Sequence, residues 1–559
     1  MIWSQFRRPT FWWLAGLLAI AAFVRFRGIR FGLPHTQARP DETAIIDPVR
    51  VLLSGHLPHF YDYPWFFLWI VAIAYFGYFL WGTATGAFSS MTAMLASWPV
   101  HWEPFFLIPR IISAAAGTLS VLVVFRLGRQ VRDEATAIVS ALFFAFSFMQ
   151  VRSSHFGTTD VVMTGLIVAA VSLLIDAHRS RSRGTFFAAG LVAGLAAATK
   201  YNAVILVVPM IASQLLHVWE SPERQRAAAW RDSGILYFSI PFVVAFAIGV
   251  PFVVLDRAPF LDAMRELAHA LRVGDVRMDL GNGWLYHLRF SLRYDLGVPL
   301  LVAGLAGAGF LLWADPRTGI LLLSFPVAYY VVAGSIRLLF VRYAMPITPF
   351  LCVTAAYVVC RLAGWLATRI SSRAEPGILS GALAALLALA LVWPSAARVW
   401  AFDRVLSATD NRVVVAQWFF DHVPAGQTVL QTGSRYGLVQ FWDRRIPYKE
   451  WRWDGVRQVF ILDGTKRFST SERPDWIIVQ DSPLPSSTQD VVKDVMANGY
   501  VRAAEFPAFG ASDNLVYDQQ DAFYVPLSGF EHVVRPGPNF SVFKHEVAAL
   551  AGDSRAIGQ

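Results

Sequence analysis

Cysteine is almost absent from this chain: two in 559 residues, Cys352 and Cys360, both inside one apolar run. That excludes a disulfide scaffold and a cysteine-ligated metal centre. Charge is scarce too. Asp, Glu, Lys and Arg make up 16% of the residues, against about 25% in soluble domains, which excludes a disordered chain and a soluble nucleic-acid binder. Lysine is scarcer still over most of the length, with Lys200 the only one before Lys449. Neither HExxH nor HxxxH spacing occurs, so no metal motif can be read.

Apolar surface is what the chain has in excess. Hydrophobic residues make up 55% and the mean hydropathy is +0.46, the composition of a chain whose solvent is largely lipid. Apolar runs fall near 11–24, 64–82, 105–125, 134–150, 160–176, 185–199, 202–218, 234–254, 297–313, 318–334, 342–360 and 378–394. Beyond about residue 400 the pattern changes to alternating strands and polar helices. The expected architecture is a polytopic α-helical membrane domain over 1–398 and a soluble α/β domain over 399–559. The net charge of +9 needs no nucleic-acid partner, because most basic residues sit in loops between apolar runs.

Those loops set the orientation, since short loops rich in Arg stay in the cytoplasm. Arg7 and Arg8 precede the first run; Arg126, Arg129 and Arg132, then Arg179, Arg181 and Arg183, then Arg224, Arg226 and Arg231, then Arg361, Arg369 and Arg373 mark later loops. Keeping them all on one side requires an even number of crossings between the first two groups, and three runs lie there. The segment 64–82, rich in Trp and Tyr, is therefore expected to be interfacial or re-entrant. The count becomes about eleven spans, with the N-terminus cytoplasmic, the break at Thr199-Lys200-Tyr201-Asn202 near the outer face, and the C-terminal domain extracytoplasmic in a bacterial inner membrane.

This topology gathers the unusual residues on the outer side. The first outer loop carries His35, Asp41, Glu42, Asp47, His56, His59 and Asp62; the second carries His155 and Asp160; later ones carry Lys200, Arg342 and Tyr343. Each has a plain structural reading. Asp41 and Asp160 both stand where an N-cap would, Asp133-Glu134 repeats the Asp41-Glu42 letters on the inner side, and Arg342 or Lys200 can snorkel. Their convergence points to chemistry. Ionisable groups at the membrane edge are costly unless they serve a ligand, carboxylates can take a proton from a hydroxyl, and cations can hold a phosphate whose lipid tail remains in the bilayer. A transporter or flippase for a lipid-linked or anionic substrate is the competing reading, but no internal repeat supports it.

Several short motifs, in chain order, resemble the protein mannosyltransferase family, glycosyltransferase family 39. They are Asp41-Glu42 after the first span, Tyr63-Pro64 opening an aromatic helix, Pro109-Arg110, Ser154-His155-Phe156-Gly157-Thr158-Thr159-Asp160, Gly194 through Lys200-Tyr201, and Arg342-Tyr343-Ala344-Met345-Pro346. The lipid A aminoarabinose transferases are relatives of the same GT-C type. The resemblance implies a GT-C fold and sugar transfer, with inversion, from a polyprenyl-phosphate-linked donor to an extracytoplasmic protein, lipid or glycan. The sugar would be a hexose or a pentose. It carries the catalytic base onto Asp41, with Glu42 beside it and Asp160 as the second-loop acid. Arg110, Lys200, Arg342 and Tyr343 would bind the donor phosphate, and His59, Asp62 and His155 would contact substrate. The resemblance fixes no cofactor as essential and leaves room for a divalent ion, with Asp41, Asp160 and His155 as its candidate ligands. The insertion 83–104 departs from the family pattern on the acceptor side.

In the tail, helices are expected at 410–423 and 488–497, the second ended by Asn498-Gly499, and strands at 428–432, 476–480, 501–506 and 540–544. Asp518, Asp521 and Tyr524 read as a polar turn, or as acceptor contacts. No triad, P-loop or dinucleotide loop is present.

Overall fold

In the computed structural model the described residues are 9–98, 100–230, 234–274, 278–370, 376–441, 448–454, 459–462, 467–469, 473–485, 488–497 and 499–546. Arg7, Arg8, Arg231, Arg373 and Asn498 of the sequence reading lie outside them. The chain divides into two compact units. One comprises residues 1–29 and 44–400; the other comprises 401–559 together with the strap 30–43, which the sequence had assigned to the membrane domain.

The first unit is helical, and all twelve apolar runs form helices. Among the described residues eight are long and apolar enough to cross a membrane, and two bent pairs raise the number to ten, below the expected eleven. The chain is an integral, multi-pass membrane protein. Two of the apolar helices, Thr10–Phe26 and Arg183–Ala197, fall short of spanning length. The segment read as interfacial or re-entrant contains one unbroken 19-residue helix, Phe66–Ala84, long and apolar enough to cross a membrane. Its Trp and Tyr residues had suggested an interface, yet Tyr75 is buried and donates to the Phe105 carbonyl. Aromatic content did not distinguish packing from interfacial anchoring.

Helix packing in this unit relies on small residues, as expected where lipid supplies no hydrophobic drive between helices. Gly190 and Gly194 lie one turn apart on Arg183–Ala197, and a Cβ at either would strike the backbone of Gly234–Gly249 at Phe238 or Phe242. Gly249 sits equally close to Ala198. The start of Phe66–Ala84 is tied in at the same place, with Trp65 N donating to the Gly249 carbonyl and Phe66 N to the Ala198 carbonyl, both at 2.9 Å. Three helix ends thus meet just before Lys200.

The helix bends have a common clamp. Glu134–Ala145 and Phe148–Ser154 meet at 57°, and 283–296 meets 298–314 at 112°. Gly297, at φ 77°, makes the second turn. Buried Asp295 joins the two bends: its Oδ1 accepts from Ser147 Oγ at 2.6 Å and from Met149 N at 2.9 Å.

The second unit is built on a seven-stranded mixed sheet. The strands are β1 (Thr428–Gln431), β2 (Lys449–Asp454), β3 (Val459–Leu462), β4 (Arg467–Ser469), β5 (Trp476–Asp481), β6 (Tyr500–Phe506) and β7 (Asn539–His545), in the order β4-β3-β2-β1-β5-β7-β6. β1 runs parallel to β2 and β5, pairing Thr428 with Lys449 and Val429 with Trp476; the other pairs are antiparallel. Alternation along β1 sends Val429 to one face and Leu430 to the other. Val415, Ala416 and Phe419 of Asn411–His422 pack with Val429, Ile478 and Val542, and Val492 and Val495 of Asp490–Met496 pack with Leu430 and Ile477. Each expected helix and strand of the tail is present, and β2 to β4 are additional.

The strap is held on this unit by paired polar groups. Thr36 N and Oγ1 both donate to Gln440 Oε1, at 2.9 and 3.1 Å. Buried His35 lies with Nε2 2.7 Å from the Leu438 carbonyl, while its Nδ1 accepts from Gln37 N at 3.2 Å. The carbonyl can only accept, so the ring is neutral with its proton on Nε2. Burial first, and then the positive Arg412 guanidinium, lower the His35 pKa to about 3.

This depressed value makes the strap sensitive to acid. Unfolded His35 binds a proton below about pH 6.5 and the docked ring does not, so the stabilisation is complete above 6.5 and is lost as pH falls toward 3. The loss is about 1.4 kcal/mol per pH unit in that window. Opening of 32–42, followed by hydrogen exchange corrected for intrinsic rates, should rise about 15-fold from pH 6.5 to pH 5. His35→Gln should flatten the dependence; equal wild-type opening at both pH values would contradict this account.

Candidate functional site

The helix Arg183–Ala197 ends just before Lys200, whose own backbone is extended (φ −154°, ψ 130°), and the chain resumes as the 3-10 turn Tyr201–Leu206. This is the break expected from Thr199-Lys200-Tyr201-Asn202. Asp160 opens the helix Asp160–Ser180, but its carboxylate does not cap it. Asp160 Oδ1 instead takes a 2.7 Å ion pair from Lys200 Nζ, with both side chains largely buried (6% and 13% exposed). Asp133, by contrast, does cap its helix, accepting from Thr136 N at 2.8 Å. The same residue type therefore serves two purposes, and the sequence alone did not separate them.

Aromatic rings surround this pair. Lys200 Nζ lies 5.2 Å from the Tyr343 ring centroid and 6.0 Å from that of Tyr63. Beside Tyr343, the Arg342 guanidinium stacks over Phe340 at 4.0 Å. Asn202 Nδ2 donates to Tyr329 Oη at 2.7 Å, and Asn202 Oδ1 is buried with no donor among the described residues. Asp160, Lys200, Tyr343 and Arg342 were expected site residues. Asn202 and Tyr329 were missed, although Asn202, a polar residue just beyond the break, was the available signal. The arrangement is a cationic centre at a helix break, walled by phenol rings. It can hold an anion and accept hydrogen bonds from hydroxyls.

Other expected residues fall into separate groups. Arg110 Nη1 donates to the Ile29 carbonyl at 2.9 Å. His155 has both ring nitrogens against carbonyls, Val151 at 2.9 Å and Arg27 at 2.8 Å, which leaves no metal-ligand geometry. These two residues fasten the end of the first helix. Among the described residues no cluster of three or more His, Cys, Asp or Glu is placed to hold a metal ion. His59 Nδ1 and Tyr61 Oη both meet Asp256 Oδ2, the former at 2.8 Å, at the start of the amphipathic helix Arg257–Val273. Partial desolvation, with Glu266 nearby, holds the Asp62 carboxyl above its ordinary range.

Asp41 belongs to the second unit. It lies in the 3-10 turn Pro40–Glu42, and its carboxylate pairs with Arg39 at 2.8 Å. Glu42 is buried. Asp518 and Asp521, read as a polar turn, are buried as well, and Arg39 pairs with Asp521.

Comparison with known proteins fits this architecture. Residues 107–248 match the family model for dolichyl-phosphate-mannose-protein mannosyltransferases. The fold is similar to that of ArnT from Cupriavidus metallidurans in the apo state, with a TM-score of 0.50 at 12% identity over 95% of this chain and 97% of that one. The chain has the GT-C glycosyltransferase fold. The same ArnT bound to undecaprenyl phosphate gives 0.49 at 12% identity, over 96% and 98%. The apo oligosaccharyltransferase of Archaeoglobus fulgidus gives 0.49 at 15% identity over 76% of this chain; the chain spans only 63% of that protein. None of the curated proteins matches by sequence. A transporter is not favoured, because the matched family and the GT-C fold are those of glycosyltransferases.

The Asp160–Lys200 pair generates a first test of the site. Removing one partner of a buried pair leaves the other charge uncompensated and costs about 3–5 kcal/mol. Asp160→Asn and Lys200→Gln should each destabilise the detergent-solubilised protein, and the double variant should lose less than their sum. Additive losses would mean that the two side chains are not energetically coupled.

Proposed function

We propose that this protein transfers a sugar, a hexose or a pentose, from a polyprenyl-phosphate carrier to an acceptor outside the cytoplasm. The observation that carries the reading is the Lys200 cation at a helix break, pinned by Asp160 and walled by Tyr343 and Tyr63. A phosphate at the edge of the bilayer needs such a centre: a fixed cation in a partly desolvated setting, where charge-assisted hydrogen bonds are strongest. Asp160 keeps Lys200 in place and relieves the cost of burying it, while Arg342 offers a second, planar donor. ArnT, whose fold the chain shares, has itself been solved with undecaprenyl phosphate. The reading sets the N-terminus in the cytoplasm of a bacterial inner membrane and the α/β unit on the far side.

The chemistry follows from the leaving group. Phosphate departs readily, so the demanding step is to activate the acceptor hydroxyl as the anomeric carbon gains positive charge. One carboxylate acting as a general base is enough, and attack from the face opposite the phosphate inverts the configuration. Asp41 takes that role on the family resemblance and Glu42 stands beside it, though burial suits Glu42 to a structural part. No metal is needed in this scheme.

Two measurements test the reading. Purified protein should release undecaprenyl phosphate from one member of a panel of undecaprenyl-phosphate hexoses and pentoses, with inversion at the transferred sugar. Asp41→Asn should lower that turnover by about 10²-fold or more with carrier binding intact; near-wild-type turnover would remove Asp41 from the chemistry, and a retained configuration would sink single displacement. Separately, Arg342→Ala should weaken undecaprenyl phosphate binding by about tenfold, the scale of one charge-assisted bond. Arg342→Lys should recover only part of it, and unchanged affinity in both would refute the phosphate assignment.

A further inference from the structure

The strap that carries Asp41 is part of the α/β unit, and its last side-chain contact before Asp41 is made by Arg39. That arginine is 1% exposed, unusual for a side chain of its charge and length. Its Nη1 donates to Asp521 Oδ1 and its Nη2 to Asp41 Oδ2, so one guanidinium spans two carboxylates 480 residues apart in the chain. Asp521 is itself buried at 5%, whereas the Asp41 side chain is 32% exposed. The bridge therefore has an inner, anchored end and an outer end that reaches solvent. Phe523 braces the anchor: its ring lies 5.8 Å from the Arg39 guanidinium and meets Phe31 of the strap edge-on at 5.7 Å.

We propose that Arg39 and Asp521 are positioning residues for Asp41, the α/β unit fixing the rotamer of the carboxylate through one shared guanidinium. The inference rests on the reading of Asp41 as general base. A base must hold its oxygen within hydrogen-bond reach of the hydroxyl it activates, and an error of about 1 Å can cost about 10²-fold in rate. A rigid, planar fork suits this task, because its two amino groups are held at a fixed separation; an ammonium is a single point and cannot hold two carboxylates in a set relation. Asp521 also supplies the counter-charge that allows Arg39 to be buried. Each of the two residues thus has a geometric duty toward Asp41 beyond its part in the fold.

The test uses full-length protein and the undecaprenyl-phosphate sugar selected by the release assay. Two charge-preserving variants are made: Asp521→Glu, which shifts the anchor by one methylene, and Arg39→Lys, which removes the fork. The expected result is a fall in kcat of about 10- to 100-fold with donor KM within twofold of wild type, and with more activity in Asp521→Glu than in Asp521→Ala. Unchanged kcat in both charge-preserving variants overturns the proposal. So does a joint loss of kcat and donor affinity, or failure to accumulate folded protein, since either assigns the two residues to the fold alone. Asp41→Asn run in parallel separates the two failures. Full turnover in Asp41→Asn removes the base itself, whereas an inactive Asp41→Asn beside fully active Asp521→Glu and Arg39→Lys removes only the positioning.

Discussion

A charge placed among apolar helices must bring its compensation with it, and much of the membrane unit is organised around that requirement. Lys200 is admitted because Asp160 meets it at 2.7 Å, and both sit where a helix starts or stops, where backbone polar groups already need partners. Asp295 follows the same rule with hydrogen bonds, its carboxylate accepting from a hydroxyl and a backbone N–H at a second break. Arg110 and His155 follow it with carbonyls at the end of the first helix. Helix breaks and charges coincide because each lowers the cost of the other.

This coincidence explains which parts of the molecule were legible in the sequence. All twelve apolar runs are helices, since a run of apolar residues in lipid has few alternatives. The break at Lys200 was legible because an isolated lysine and an asparagine lie where the run 185–199 gives way to the run 202–218. The packing of 64–82 was not, because the parity of Arg-rich loops, from which that segment was read, has no access to local contacts. Tyr75 shows the difficulty: an aromatic belt and an aromatic packing face have the same composition, and only the hydrogen bond to the Phe105 carbonyl distinguishes them. In the tail, β1 and β5 were clear as apolar strands bounded by turn residues. β2, which reads Lys-Glu-Trp-Arg-Trp-Asp, carries too much charge to look like a strand until its neighbours are known.

The candidate site was legible as a set of residues but not as a set of relations. Lys200, Asp160, Arg342 and Tyr343 were each singled out, and their grouping followed from the order of short motifs. That Asp160 pins Lys200 rather than capping its own helix could not be read, because the two uses share one position and one residue type. Asn202 and Tyr329 escaped notice for a related reason. Neither is charged, and a single hydrogen bond between residues 127 positions apart leaves no mark on periodicity or composition.

The strap is the clearest case of a relation hidden from sequence. Asp41-Glu42 and Asp133-Glu134 have the same letters near helix starts, yet Asp133 satisfies its own helix whereas Asp41 is turned toward Arg39. The difference lies in residues hundreds of positions away: Leu438 and Gln440 receive His35 and Thr36, and Asp521 receives Arg39. Buried polar groups of this kind are specific, because each must find its partner or leave a costly vacancy in a poorly solvated place. A strap held only by apolar contacts could slide by a fraction of a turn with little loss. One held by a neutral imidazole between a donor and an acceptor, an amide taking two bonds, and a guanidinium shared between two carboxylates has a single register. Polar satisfaction thus gives the α/β unit precise control over where Asp41 stands, a control that hydrophobic packing alone would not provide.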